Sequence, residues 1–207
     1  MAGRVIPKGG DAVTVGCVIL AAGNAVRFGA NKLLTPFRGK PLVQWALEAI
    51  PAEPPGPVAV VTQYDAVAAL AARFGFSAVR NEAPELGLSH SVALGTQTLG
   101  KDCDGLIFLV ADQPLLRRET VAALLDRFRA EPSKIVVPAA GERQGNPCVF
   151  PAELFPALEA LRGDRGGKQL IRQYPERVVT VPAEPAELSD VDTLTDLQKM
   201  LYKSHET

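Results

Sequence analysis

The chain has 207 residues, of which 47% are hydrophobic and 22% charged, and its formal net charge at pH 7 is -1. This length and composition suit one soluble α/β domain with its own core. The balanced charge argues against a nucleic-acid-binding protein, which would carry a surplus of Lys and Arg. No apolar stretch resembles a signal peptide or has the length of a membrane span, so we expect a cytoplasmic protein that does not associate with membranes.

Short apolar runs alternate with longer Ala- and Leu-rich segments along the chain. The apolar runs predict strands at 15–21, 58–62, 77–80, 106–110, 135–138, close to 148–150 and at 178–181. The segments between them predict helices at 42–50, 66–74, 89–99, 119–129, 154–161, 168–173 and 194–202. Strands that alternate with helices favour a mostly parallel sheet covered on both faces. We expect this domain to span residues 15–203, after a flexible extension over residues 1–14.

The loop after the first predicted strand has the features of a phosphate-binding site. It begins with Leu20, Ala21, Ala22 and Gly23 and continues to Arg27 and Lys32. In parallel sheets ligands bind at the carboxyl ends of the strands, and a glycine there lets the backbone approach them closely. Two cations beside such a loop predict a triphosphate site, and the alternative is an ordinary loop with two solvated cations. The spacing matches neither a Walker loop nor the GxGxxG dinucleotide fingerprint.

A second polar group, Asp112, follows the strand predicted at 106–110. A carboxylate at the end of a buried strand needs a partner, because burying an unpaired charge is costly. Mg²⁺ is a suitable partner, since it typically binds one or two carboxylates together with substrate phosphates. The alternative is that Asp112 caps the next turn or helix. With a phosphate-binding loop at the neighbouring strand end, the magnesium interpretation is favoured.

The three cysteines, Cys17, Cys103 and Cys148, are scattered among apolar residues. Their odd number and the absence of a CxxC pair indicate neither a disulfide framework nor a zinc site. We therefore expect three small, buried hydrophobic side chains.

Taken together, these motifs resemble those of nucleotidyltransferases with the nucleotide-diphosphosugar-transferase fold, in particular the molybdenum cofactor cytidylyltransferases. The family segments LAAGxSxRxGxxK, GxSxS, ADQP, GNP, GDRGA and DxDTPEDL are similar to residues 20–32, 87–91, 111–114, 145–147, 163–167 and 190–197. Ala25 stands where the family has a serine, and Leu194 and Thr195 replace its Pro-Glu. The resemblance implies a single-domain Rossmann-like three-layer sandwich with a mostly parallel central sheet.

The resemblance also implies a reaction, in which CMP passes from CTP to the phosphate of molybdopterin and pyrophosphate is released. It implies that Asp112 and Asp192 hold Mg²⁺, with Asp190 as the rival to Asp192. Arg27 and Lys32 are implied to stabilise the departing pyrophosphate, and Ala22 implies CTP rather than GTP.

Further residues are implied to contact the substrates. Ser89 is the candidate contact to the base, with a helix N-cap as its alternative role. Asn146, Gly163, Asp164 and Arg165 are implied to face the acceptor. Arg165 and Lys168 are candidate phosphate contacts, with solvated surface cations as the alternative. A molybdoenzyme or its chaperone would be the protein partner.

Two other functions stay open at this point. One is a nucleotidyltransferase that acts on a sugar phosphate or another alcohol phosphate, because such enzymes share the triphosphate loop and Asp112. The other is a non-catalytic nucleotide-binding chaperone of the cofactor, against which the presence of both predicted metal carboxylates argues.

Overall fold

The structure is a computed structural model that describes residues 12–23 and 31–203, with the side chains of residues 202 and 203 excepted. Most of the predicted N-terminal extension, residues 1–11, lies outside the described residues. The strands are β1 Val15–Ala21, β2 Pro36–Phe37, β3 Lys40–Pro41, β4 Val58–Thr62, β5 Ser77–Arg80, β6 Gly105–Val110, β7 Ile135–Ala140, β8 Arg143–Gln144, β9 Cys148–Pro151 and β10 Val178–Pro182. The α-helices are α1 Leu42–Glu48, α2 Asp65–Arg73, α3 Leu88–Leu99, α4 Arg118–Ala130, α5 Phe155–Glu159, α6 Lys168–Gln173 and α7 Leu194–Lys203.

The main sheet has the strand order β10-β7-β9-β6-β1-β4-β5. The short strand β8 lies outside this order and pairs antiparallel with the end of β7. Strands β6, β1, β4 and β5 are parallel to one another, and β7 is parallel to β10. Strand β9 runs antiparallel to both of its neighbours, β6 and β7. The first residue of β9 therefore lies at the same edge of the sheet as the carboxyl ends of β1 and β6. This is the mixed but mostly parallel sheet that the alternation of strands and helices predicts.

Both faces of the sheet are covered, which gives three layers. One apolar cluster packs α1, α2 and α4 against one face, and a second cluster packs α3, α5 and α6 against the other. Helix α3 approaches β1 closely, because a Cβ atom added to Gly95 would lie 2.4 Å from Val18 Cγ1. The start of α3 is thereby brought close to the end of β1.

The structure confirms every predicted strand and helix, with small differences at the ends. The helix predicted at 42–50 ends at Glu48, and the segment predicted at 154–161 begins as a 3₁₀ turn and continues as α5. The β2–β3 hairpin and β8 were not predicted, because strands of two residues are too short to show a hydrophobic period. Among the described residues, no helix is long and apolar enough to cross a membrane.

Candidate active site

A cleft of about 1150 Å³ opens at the carboxyl ends of β1 and β6. Its apolar floor includes Phe108, Cys148 and Phe150, from β6 and the adjacent β9. Its walls come from the end of β1, the start of α3, the loop before α6 and α6 itself. The cleft therefore lies where ligands bind in open parallel sheets.

The segment that follows β1 lines one side of this cleft. Its backbone is held by the last residue of the neighbouring strand β4 and by the two residues that follow it. Three carbonyl oxygens accept side-chain hydrogen bonds: Ala21 from Thr62 Oγ1 at 3.0 Å, Ala22 from Gln63 Nε2 at 2.8 Å, and Gly23 from Tyr64 Oη at 3.0 Å. The predicted site residues Leu20, Ala21, Ala22 and Gly23 all line the cleft. Arg27 lies outside the described residues.

Lys32 lies between the two carboxylates that are predicted to bind metal. Its Nζ is 2.8 Å from Asp112 Oδ2, 3.7 Å from Asp192 Oδ1 and 2.9 Å from the carbonyl oxygen of Val191. The side chains of Lys32 and Asp112 are 17% and 21% exposed, whereas that of Asp192 is 65% exposed. Asn31 Oδ1 accepts a hydrogen bond from the N–H of Leu33 and caps the short 3₁₀ turn that carries Lys32. The turn thus orients the lysine toward the end of β6.

The segment around Asp190 is attached to the residues that follow β6. The N–H of Val191 donates to the carbonyl oxygen of Asp112 at 2.9 Å, and Gln113 Nε2 donates to Asp190 Oδ1 at 2.8 Å. Gln113 is buried, and its Oε1 has no hydrogen-bond partner among the described residues. Burial and then the charge of Asp112 raise the pKa of Asp190, which lines the cleft. The rival metal ligand is therefore a third carboxylate near Asp112.

The structure does not place Ser89 at the cleft. Ser89 is 3% exposed, and its N–H donates to the carbonyl oxygen of Gly163 at 3.0 Å. Helix α3 begins at Leu88 with Gly87 as its cap residue, so the alternative role of Ser89 as an N-cap is wrong. Ser91 lines the cleft instead and accepts a hydrogen bond from Asn81 Nδ2 at 2.9 Å. Two residues along a helix correspond to a rotation of about 200°, which turns Ser89 away from the side that Ser91 faces.

The residues predicted to face the acceptor are close together but not equivalent. Asn146, Asp164 and Arg165 line the cleft, whereas Gly163 does not. A Cβ atom added to Gly87, which has a φ of +84°, would lie 2.6 Å from the carbonyl carbon of Gly163. Gly163 therefore contacts the loop that leads into α3.

All three cysteines are buried, as predicted. Burial raises the pKa of Cys148, a residue of the cleft floor, to about 12, and burial likewise raises that of Cys17 to about 12. Neither thiol is a nucleophile near neutral pH, because the thiolate is the reactive form. Within the described part of the chain, no group of three or more His, Cys, Asp and Glu side chains is arranged to hold a metal ion.

An α/β domain with a glycine-containing loop, a lysine and carboxylates at adjacent strand ends has the organisation of a nucleotide-dependent transferase. Residues 17–178 match the family model of the MobA-like NTP transferase domain. The chain therefore belongs to the family of MobA-like NTP transferase domains.

Two curated relatives show how much of the chain is shared. The purine catabolism protein PucB of Bacillus subtilis is 28% identical over 188 residues, which cover 85% of this chain and 90% of PucB. The bifunctional protein GlmU of Pelobacter propionicus is 35% identical over 138 residues, or 64% of this chain. The chain matches only 29% of the length of that GlmU.

Three solved proteins have a similar fold at low sequence identity. Rv0371c of Mycobacterium tuberculosis has a TM-score of 0.80 at 23% identity, covering 93% of this chain and 99% of Rv0371c, and its manganese complex has a TM-score of 0.74 at 24% identity, covering 93% and 100%. CMP:2-keto-3-deoxy-manno-octonic acid synthetase with CTP has a TM-score of 0.71 at 17% identity, covering 93% and 99%. Molybdopterin-guanine dinucleotide biosynthesis protein A of Archaeoglobus fulgidus has a TM-score of 0.69 at 16% identity, covering 93% and 100%. These similarities show the fold.

Proposed function

We propose that the protein transfers CMP from CTP to the phosphate of a molybdopterin-type acceptor and releases pyrophosphate. The observation that carries this proposal is the position of Lys32 Nζ between Asp112 Oδ2, at 2.8 Å, and Asp192 Oδ1, at 3.7 Å. A cation and two carboxylates at the end of a nucleotide-binding strand are the groups that phosphoryl transfer needs. The cation stabilises phosphate charge, and the carboxylates provide oxygen ligands for a divalent metal.

Asp112 and Asp192 fit Mg²⁺ because both carboxylates face one cationic group, the Lys32 ammonium. Two carboxylates are a typical protein contribution to a magnesium site that is completed by substrate oxygens and water. When bound, Mg²⁺ would offset the negative charge of the phosphates. The manganese complex of Rv0371c supports a divalent metal for this fold.

In the proposed step, a terminal phosphate oxygen of the acceptor forms a bond to the α-phosphorus of CTP. The bond from that phosphorus to the bridging oxygen of pyrophosphate breaks, and pyrophosphate leaves with the electron pair. The second pKa of a phosphate monoester is about 6, so the acceptor is mostly ionised near neutral pH without a general base. Lys32, together with Arg27, would stabilise the charge of the leaving pyrophosphate.

Ala22 supports CTP as the nucleotide. Its side chain is buried at the cleft wall, and its carbonyl oxygen accepts a hydrogen bond from Gln63 Nε2 that restrains the backbone there. The family resemblance associates this alanine with CTP and a glycine at the same position with GTP. The methyl group narrows the space for a base, which favours the smaller pyrimidine. The CTP complex of the octonic acid synthetase supports the same choice.

The acceptor would bind on the other side of Asp112. Asn146, Asp164 and Arg165 line the cleft near β9, whereas the triphosphate loop follows β1. The similarity to the Archaeoglobus fulgidus molybdopterin-guanine dinucleotide protein supports a molybdopterin-type acceptor. Delivery of the product to a molybdoenzyme or its chaperone stays a prediction.

The test is to incubate the protein with Mg²⁺ and each of CTP, GTP, ATP and UTP, with molybdopterin, with a sugar phosphate or with no acceptor, and to measure pyrophosphate release. We expect release with CTP and molybdopterin. Release only with the sugar phosphate would contradict the acceptor, and no release under any condition would favour the non-catalytic chaperone. Asp112→Ala should abolish release, whereas Asp126→Ala, which removes an exposed carboxylate on α4, should leave it unchanged.

A further inference from the structure

The cleft has two sides, which are separated by Asp112 at the end of β6. Strand β6 lies between β1 and β9 in the sheet. The loop before α6 packs over β9, because a Cβ atom added to Gly167 would lie 2.4 Å from Phe150 Cζ. Helix α6 therefore forms a wall on the β9 side of Asp112, opposite the segment that follows β1.

This wall presents three cations to the cleft, Arg165, Lys168 and Arg172. All three are exposed, and none forms a hydrogen bond or ion pair with a residue that the structure describes. Other cations of the chain are paired, such as Lys40 with Glu48 and Arg177 with Glu153. Asp164 is the one carboxylate that this wall adds to the cleft, so the three cations are in excess and attract anionic ligands.

The cations of α6 point to two separate positions along the wall. Lys168 is the first residue of α6 and follows Gly167, which packs against Phe150 at the cleft floor, so Lys168 lies at the floor end of the wall. Arg172 follows one helical turn later, where side chains on the same face are about 6 Å apart. A ligand in contact with both needs either two anionic groups or one extended anion.

We propose that the α6 wall binds an acceptor with two anionic groups. The phosphate that attacks CTP lies at Lys168, close to Asp190, and a second anion lies at Arg172. This inference rests on the proposed function and assigns to Arg172 the selection of the acceptor. The triphosphate of CTP is the other phosphate source, but it lies on the β1 side, at Lys32.

The test uses two simple probes. Phosphoglycolate carries a phosphate and a carboxylate, whereas ethyl phosphate carries a phosphate only. Their dissociation constants are measured by calorimetry at low salt, with Mg²⁺ and with or without the α,β-methylene analogue of CTP. We expect the protein to bind phosphoglycolate about tenfold more tightly, which is the effect of one charge-assisted hydrogen bond. Arg172→Gln should abolish this preference and leave ethyl phosphate binding unchanged. Lys168→Gln should weaken both probes.

The matched control is Lys101→Gln, which removes an exposed cation before β6, at the opposite edge of the sheet. It should bind both probes like the unmodified protein. An unchanged preference in Arg172→Gln, or undetectable binding of both probes, would overturn the inference. If Arg172→Gln instead lost affinity for the CTP analogue, the α6 wall would bind the triphosphate and not the acceptor.

The pyrophosphate assay separates this result from the proposed function. If CTP is not turned over but the preference for phosphoglycolate depends on Arg172, the two-anion site stands and the proposed reaction fails. If CTP is turned over but the preference does not depend on Arg172, only the two-anion site fails.

Discussion

Replacing Lys32 with glutamine should destabilise the protein and increase its stabilisation by magnesium. In Lys32→Gln the carboxylates of Asp112 and Asp192 lose the ammonium that lies 2.8 and 3.7 Å away, and the nearby Asp190 adds repulsion. Removing one partner of an exposed ion pair lowers the free energy of unfolding by up to about 1 kcal/mol. Removing one partner of a buried ion pair lowers it by about 3–5 kcal/mol. Because Lys32 and Asp112 are 17% and 21% exposed, we expect a loss of about 1–2 kcal/mol.

Magnesium should restore this loss because it would replace the missing cation between the carboxylates. At a concentration of about ten times its dissociation constant, an ion that binds only the folded state stabilises it by about 1.4 kcal/mol. In the unmodified protein the ion must displace the Lys32 ammonium, so its stabilising effect should be smaller. The larger effect of magnesium in the variant is therefore the diagnostic result.

The measurement is urea unfolding followed by circular dichroism, with and without about 10 mM MgCl₂ at constant ionic strength. Lys40→Gln is the control, because Lys40 forms an ion pair with Glu48 in which Nζ lies 2.7 Å from Oε2. Neither residue lines the cleft. The unfolding of Lys40→Gln should not respond to magnesium more than that of the unmodified protein. Equal effects of magnesium in all three proteins would refute the metal site. The additional substitution Asp112→Asn should remove the effect from Lys32→Gln.

Three further predictions concern the nucleotide and stability. Ala22→Gly should raise kcat/KM for GTP relative to CTP about tenfold, since one methyl group in a base pocket has an effect of this size; an unchanged ratio would contradict the role of Ala22. Glu187→Gln should lower the free energy of unfolding by about 3 kcal/mol at pH 7, because Arg117 and Thr120 donate to this buried carboxylate. Burial alone would raise the pKa of Glu187, but these hydrogen bonds hold it below its ordinary value of 4.5. Glu187 therefore stabilises the fold above that pH, and this stabilisation is lost as the pH falls through the folded-state pKa. Between pH 7 and pH 3, the free energy of unfolding measured in urea should decrease less in Glu187→Gln than in the unmodified protein. Asp190→Asn should raise the melting temperature at pH 7, because burial and the charge of Asp112 raise the pKa of Asp190 and make its negative charge unfavourable. The increase should disappear at a pH well below the ordinary pKa of an aspartate, where Asp190 is neutral. An unchanged melting temperature at pH 7 would contradict this prediction.

The sequence predicts the central strands well because their signals are local. Strands β1, β4 and β5 have the predicted bounds, since each is an apolar or β-rich run next to glycine, proline or polar residues. The β2–β3 hairpin differs, because it depends on the turn at Arg38, whose φ is 49°, and on the packing of Phe37 in the core. Such tertiary contacts have no periodic signal in the sequence.

The candidate site is only partly predictable, for a related reason. Residues at strand ends, such as Ala22 and Asp112, are predicted to meet because neighbouring parallel strands end at one edge of the sheet. The direction of a side chain on α3 is not predicted by the motif, and Ser91 rather than Ser89 faces the cleft. Arg172 was not predicted as a cleft residue, because its position depends on how α6 packs over β9.

The contacts of Asp112 and Gln113 explain why no short stretch of sequence defines the site. Asp112 binds Lys32 through its side chain and Val191 through its backbone carbonyl, while Gln113 binds Asp190. Lys32 precedes Asp112 by 80 residues, and Asp190 follows Gln113 by 77 residues. Only the completed sheet brings them together, so the arrangement of carboxylates forms with the fold. Gln113→Ala should therefore shift the predicted metal carboxylates of segment 190–192, because it removes the hydrogen bond that holds Asp190.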